Sequence, residues 1–316
     1  MTNEQPLWSL TKAEQQKTPL YAFMGWCAER YDSPRDDYDA FHDWSVAQPE
    51  PFWSAVWSFC DVRGEPGERV LIHGDVMLDA RFFPDARLNF AENLLRQHGE
   101  AEAIIFRGED KASDRWTWDR LTADVSRLQQ AFRDLGIEKG DRIAAMMPNM
   151  PETVALMLAA ASIGAVWSSC SPDFGEQGVL DRFGQIGPKL FIACDGYWYN
   201  GKLQDVAEKV RAVSAVLAVP VLVVHYAGDA EALAASLTDG RTLKDFTAPF
   251  EVKAVSYEPL PFAHPLYILF SSGTTGVPKC IVHSAGGTLL QHLKEQRLHC
   301  GIVPGERLFY FTTCGW

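Results

Sequence analysis

The pattern of apolar and polar positions divides the chain into two parts. Through the first hundred residues apolar side chains are frequent but irregularly spaced. Within "DDYDAFHDWSVAQPEPFWSAVWSFC", Phe52, Trp53, Val56, Trp57 and Phe59 recur at helical spacing, and Pro49 and Pro51 mark a helix start. "ARLNFAENLLRQHG" predicts another helix, with Asn89 as its cap and Gly99 as its stop. From about residue 101 the pattern becomes regular. "EAIIFRG" predicts a short strand. "TWDRLTADVSRLQQAFRDLGI" predicts an amphipathic helix with Leu121, Val125, Leu128, Phe132 and Leu135 on one face. "DRIAAMMP" is a strand closed by Pro148. "PETVALMLAAASIG" is a buried helix that starts at Pro151 and ends at Gly164. "AVWSSCS" predicts a strand, "GEQGVLDRFGQIG" a helix, and "KLFIACD" and "VPVLVVHY" further strands. Such alternation argues for an α/β fold with a largely parallel sheet flanked by helices. Residues 226–263 are more polar and predict no clear element.

Composition narrows the classes. A chain of 316 residues that is 47% hydrophobic can bury a full-sized core. Its formal net charge of -12 makes it a poor general binder of nucleic acid, which needs Lys and Arg against phosphates. A local site for one small anion stays possible. The seven Cys are odd in number and contain no Cys-x-x-Cys pair, which predicts reduced, mostly buried thiols. "MTNEQPLWSL" has neither the basic start nor the apolar run of a signal peptide. The longest apolar run, near Val154–Trp167, is too short to cross a bilayer. The expectation is a cytoplasmic protein with no membrane partner. The closing "RLFYFTTCGW" is a strand-like apolar run, whereas termini are usually polar and frayed. It either tucks into the core or belongs to a domain that continues past Trp316; we expect the second.

The stretch richest in chemistry is "LYILFSSGTTGVPK". The apolar strand Leu266–Phe270 runs straight into Ser271, Ser272, Gly273, Thr274, Thr275 and Gly276, and Pro278 and Lys279 follow. Ligands of α/β sheets bind beyond the carboxyl ends of strands, where this run would lie. Glycines let backbone approach a ligand, successive N–H groups form an anion-binding concavity, and Lys279 brings a mobile charge. Together they would cradle a polyphosphate. An ordinary polar turn between two strands is the competing reading. The string is not a Walker A loop, because Cys280 follows the Lys and "KCIVHS" reads as another strand. His283, His292 and His299 lack the i, i+4 spacing of a helical zinc site.

"SSGTTGVPK" resembles the phosphate-binding string of the adenylate-forming enzymes: acyl-CoA synthetases, adenylation domains of peptide synthetases, and luciferases. "GDRIAAMMPNMPETVALMLAAASIGAVWSSCSPDFG" is similar to that family's preceding strand–helix–strand block. "RLNFAENLL", the Trp-rich N-terminal part and "IVHSAGGTLLQHLKEQRLHCGIVPGERLFYFTTCGW" resemble the acetyl-CoA synthetase branch, and within it the members that activate acetoacetate. The resemblance spans residues 35–316. It implies an N-terminal helical extension over 1–100, and over 101–316 part of the AMP-binding large domain without its lid. It implies ATP-dependent activation of acetoacetate, or of acetate, propionate or hydroxybutyrate, and thioester formation with CoA. Ser271, Ser272, Gly273, Thr274, Thr275, Gly276 and Lys279 would hold the ATP phosphates, with Mg²⁺ bridging their oxygens. Gly315 and Trp316 would begin the acyl-pocket wall. Lys202 would touch CoA, although Tyr199 stands where the branch often has Arg. A chain that ended at Trp316 would be expected to show no ligase turnover and at most to bind nucleotide.

Overall fold

The computed structural model of the chain describes residues 8–271 and 276–315. It forms two compact units. One comprises the chain up to Ala86 together with Gly287–Arg307; the other comprises Arg87–Gly286 and the run from Leu308.

The second unit is built on a sheet that has seven strands among the described residues. In chain order they are β1 (Arg142–Met146), β2 (Val166–Cys170), β3 (Leu190–Cys194), β4 (Val221–Val224), β5 (Gly240–Thr242), β6 (Pro265–Ser271) and β7 (Lys279–Ser284). Their order across the sheet is β5-β4-β3-β1-β2-β6-β7. Every pair is parallel except the last, where β7 returns antiparallel to β6. The predicted α/β architecture is therefore the observed one. Strands β2, β3 and β4 are buried at every position, as strands covered on both faces must be, which is why β3 and β4 read as unbroken apolar runs, while Ser168 and Ser169 of β2 spend their hydroxyls on protein carbonyls. Strand β6 instead alternates, burying Leu266, Ile268 and Phe270, and β7 is exposed along nearly its whole length.

The helix predicted from Trp118 runs to Asp134 and is capped by the Thr117 hydroxyl, which accepts from the Arg120 N–H. Leu121, Val125, Leu128 and Phe132 are buried as their spacing requires; Leu135 falls at the cap and is only half-buried. The helix Pro151–Ser162 begins on its proline, whose missing N–H costs nothing there, and the chain leaves it through Gly164 at φ +77°. Several details differ from the sequence pattern. Glu102–Gly108 is a strand, but it pairs with Ala112–Thr117 in a separate antiparallel hairpin. The helix capped by Asn89 stops at Leu94, well before Gly99. The polar stretch 226–263 contains the helices Ala230–Ala235 and Leu243–Thr247 and strand β5. The run "RLFYFTT" is not a strand. A strand needs a ladder partner, and no described strand lies beside it, so Phe309 and Phe311 stand 86% and 92% exposed.

In the first unit, helices Pro19–Tyr31, Tyr38–Ala47 and Pro49–Phe59 close around Phe23. Its ring meets Phe41, Phe52 and Phe59 edge-on, with centroids 5.9, 6.1 and 5.2 Å away, the preferred aromatic geometry. The later helix Ala285–Leu293 runs on as a π-helix, Lys294–His299. Among the described residues no helix is long and apolar enough to cross a membrane. All seven cysteines are free; Cys27, Cys60, Cys170 and Cys194 are buried, and Cys280 and Cys300 are exposed.

Candidate functional site

Because β6 runs parallel to β2, with Tyr267 opposite Trp167, Ser271 ends at the same carboxyl edge as β1 to β4. The Ser168 hydroxyl donates to the Ile268 carbonyl at 2.7 Å and fixes β6 against its neighbour. Ser271 and Lys279 face each other in register. The hydroxyl-rich run is thus the connection of a rigidly held hairpin. Ser272, Gly273, Thr274 and Thr275 lie outside the described residues. Gly276 takes φ +124°, which a side chain would oppose. Lys279 is exposed. The far side of the connection is pinned where Gln185 Nε2 donates to the Pro278 carbonyl at 2.8 Å. Arg182 lies near the same base, its guanidinium 4.0 Å from the Phe174 ring centroid and 5.9 Å from that of Phe270. Nothing in the spacing of "GEQGVLDRF" singles out this cation.

A second feature sits between β1 and β2. Beyond the carboxyl ends of these two neighbouring strands the stretch Thr312–Gly315 crosses over them. Asn149 Nδ2 donates to the Thr312 carbonyl at 2.6 Å and the Ser169 hydroxyl to the Cys314 carbonyl at 2.5 Å. The Cys314 thiol, pushed up to about 11 by burial, donates to the Met147 carbonyl at 2.8 Å. Gly315 approaches the sheet so closely that a Cβ would meet the Ser169 carbonyl oxygen at 2.9 Å. Gly315 therefore lies against the carboxyl end of β2; Trp316 lies outside the described residues. Sequence reasoning missed Asn149 and Ser169, whose only signal is their place just after or within a strand.

The third predicted element is the segment "GYWYNGK". It is a two-stranded hairpin, Gly196–Tyr199 with Lys202–Asp205, turning through Asn200 and Gly201 at φ 52° and 72°. Tyr199 and Lys202 are a cross-strand pair and both are exposed. The N–H groups of Asn200 and Gly201 each donate to the Glu109 carboxylate at 2.6 Å, so the turn's own anion site is already filled. Strands β1 and β2 lie between β3 and β6, roughly 14 Å of sheet at the usual strand spacing. Lys202 is therefore not brought to the phosphate-type loop. Lys209 is half-buried: burial lowers its pKa, and its Nζ donates to the Pro172 carbonyl at 2.7 Å. Lys279 and Arg182 are the cations at the base of the loop hairpin. A cavity of about 680 Å³ elsewhere in this unit has a mixed charged wall, with Asp124, Glu152, Asp229 and Glu231 beside Arg120 and Lys244. His283 lies on exposed β7, His292 on the following helix and His299 at the end of the π-helix.

The comparisons with known proteins agree with this geometry. Residues 38–94 match the acetyl-coenzyme A synthetase N-terminus model. An acetoacetyl-coenzyme A synthetase of Rhizobium meliloti (strain 1021) is 67% identical over the whole chain, which covers 49% of that relative. A malonamoyl-CoA synthetase of Penicillium aethiopicum is 37% identical over 99% of the chain and 45% of its own length. Among solved structures, the acetoacetyl-CoA synthetase from Streptomyces lividans superposes with a TM-score of 0.92 at 39% identity, over 99% of this chain and 48% of that one. The chain spans about half the length of the curated relatives it matches. The AMP-binding enzyme model matches residues 90–316, the sheet, its carboxyl edge and the hydroxyl-rich loop included, and the chain belongs to that family.

Proposed function

We propose that these residues work within an acetoacetate–CoA ligase, with 1–100 as a helical extension and 101–316 as part of the AMP-binding large domain. The observation that carries this reading is the register-locked hairpin that presents Ser271 and Lys279 at the carboxyl edge, in a chain 67% identical to a protein of that name. The acetoacetate carboxylate attacks the α-phosphorus of ATP; pyrophosphate leaves and acetoacetyl-adenylate forms. The CoA thiol, losing its proton, then attacks the acyl carbon and AMP departs. A polyphosphate leaving group needs preorganised donors. Ser271, Ser272, Gly273, Thr274, Thr275, Gly276 and Lys279 are proposed to supply them. Bound Mg²⁺ would supply charge neutralisation at the phosphates, and the hydroxyls of Ser271, Ser272, Thr274 and Thr275 would be the protein's contribution to holding it. Among the described residues no group of three or more His, Cys, Asp or Glu could hold an ion. Gly315 and Trp316 are proposed to begin the acyl wall, with Lys202 reaching CoA. Seven free thiols support a reducing, cytoplasmic setting.

Acid-dependent pyrophosphate exchange in the full-length protein tests the reading. Acetoacetate should drive exchange far better than acetate, and Lys279→Ala should slow it about 100-fold. Because Lys279 is exposed, its loss should change stability by no more than about 0.5 kcal/mol. Exchange at the native rate in that variant refutes the phosphate role. The malonamoyl-CoA relative favours a second reading, a ligase for another short acid; a stronger response to acetate, propionate or malonamate would establish it.

A further inference from the structure

The first unit contains a pocket that the proposed ligase reaction does not use. Its volume is about 400 Å³, and Phe23, Phe41, Phe52 and Leu298 make its apolar wall. Pockets of this size with an apolar wall and a few convergent polar groups are where small ligands bind. Its polar groups are Tyr38, His42 and Ser45 from the helix Tyr38–Ala47 and Lys294, Glu295 and His299 from the π-helix. In an α-helix residues five apart point to different sides; here the Cys300 N–H donates to the Glu295 carbonyl at 2.8 Å, an i→i+5 bond. That winding sets Lys294 and His299 side by side, Nζ to Nε2 at 3.3 Å. Both line the pocket.

The hydrogen-bond inventory of Lys294 is incomplete. An ammonium has three N–H donors. Glu295 Oε1 takes one at 2.5 Å and His299 Nε2 takes another. The Lys294 side chain is only 17% exposed, whereas Glu295, which also lines the pocket, is 46% exposed and free to turn toward water. The pocket therefore combines an aromatic cup with one shielded cationic donor that has capacity to spare. Burial and the Lys294 charge lower the pKa of His299, so its ring accepts from the lysine. The π-helix itself is an uncommon winding that tends to occur at functional positions.

We propose that this pocket is an accessory site for a small monocarboxylate with an aromatic or compact apolar body, its carboxylate on Lys294 Nζ and its body among Phe23, Phe41 and Phe52. Every residue that lines it belongs to the first unit.

The test is a titration of the full-length protein with 4-fluorobenzoate, followed by ¹⁹F NMR, with ATP and acetoacetate present in excess to occupy the proposed active site. Saturable binding is expected. Lys294→Met, which keeps the apolar stem, should weaken it about tenfold or more, the worth of a charge-assisted hydrogen bond. Ser45→Trp, which fills the pocket from the helix Tyr38–Ala47, should abolish it. The uncharged 4-fluorobenzamide should bind more weakly than the acid. Absence of binding overturns the proposal. So does binding that acetoacetate displaces, or binding that survives both substitutions. Should Lys294→Met fail to fold, Ser45→Trp and the amide decide the matter.

Discussion

Asp195 ends strand β3 and joins it to the turn after β4, and its replacement by Ala offers a quantitative test of how this edge is held. The carboxylate is buried. Its Oδ1 accepts from the N–H groups of Tyr226 and Ala227 at 2.8 and 3.0 Å; its Oδ2 accepts from His225 Nδ1 at 2.7 Å. Truncation orphans these donors, at about 1–3 kcal/mol for each one that stays dry. The His225 side chain is 71% exposed and recovers water, so the two backbone groups dominate and we expect a loss of about 2–5 kcal/mol. Asp195→Asn should cost less, because its remaining oxygen can still face Tyr226 and Ala227. Urea unfolding at pH 7 measures both, and a loss below about 1 kcal/mol for the Ala variant refutes the reasoning. Acid titration adds a signed check. Burial alone would push this carboxyl up, but the hydrogen bonds from Ala227, Gly228, Tyr226 and His225 outweigh it and hold the pKa below its ordinary value. The resulting stability is present above the unfolded value, about 3.9, and is lost as pH falls through the lower folded value. Asp195→Ala should therefore lack that segment of the acid limb.

Gly164→Ala should destabilise by about 1–3 kcal/mol, because φ is +77° and a Cβ would meet Leu260 Cδ2 at 2.8 Å; an unchanged urea midpoint refutes this. Asn89→Ala should cost about 2–4 kcal/mol. The Asn89 amide caps the helix Phe90–Leu94 and donates to the carbonyls of Ala161, Ser162 and Glu258 at 3.1, 3.1 and 3.0 Å; a neutral effect in the same assay counts against it. With a disulfide reagent at pH 8, Cys280 and Cys300 should react in the native protein. Cys27 and Cys194, each pushed up to about 12 by burial, should react only after unfolding; fast native labelling of either, read by peptide mapping, overturns the burial argument.

Periodicity recovered what each segment imposes on itself. The all-apolar runs of β3 and β4 reveal a doubly covered parallel sheet because burial on both faces leaves no polar alternation. Asn89 reveals a helix start because a cap is made within three residues. What periodicity could not recover depends on partners distant in sequence. Glu102–Gly108 has strand composition, yet only its pairing with Ala112–Thr117 decides that it leaves the main sheet. "RLFYFTT" has the same composition and no ladder beside it, so propensity alone misleads. The site divides along the same line. Gly276 and Lys279 announce themselves in a local string. Arg182 matters only because Phe174 and Phe270 come to it, and Ser169 and Asn149 only because residues 145 and 163 positions further on cross the strand ends beside them. On a chain of net charge -12, the cations beside the loop are thus a property of topology: Lys279 opens β7 opposite Ser271, and Arg182 comes from the helix after β2 to meet Phe270 of β6.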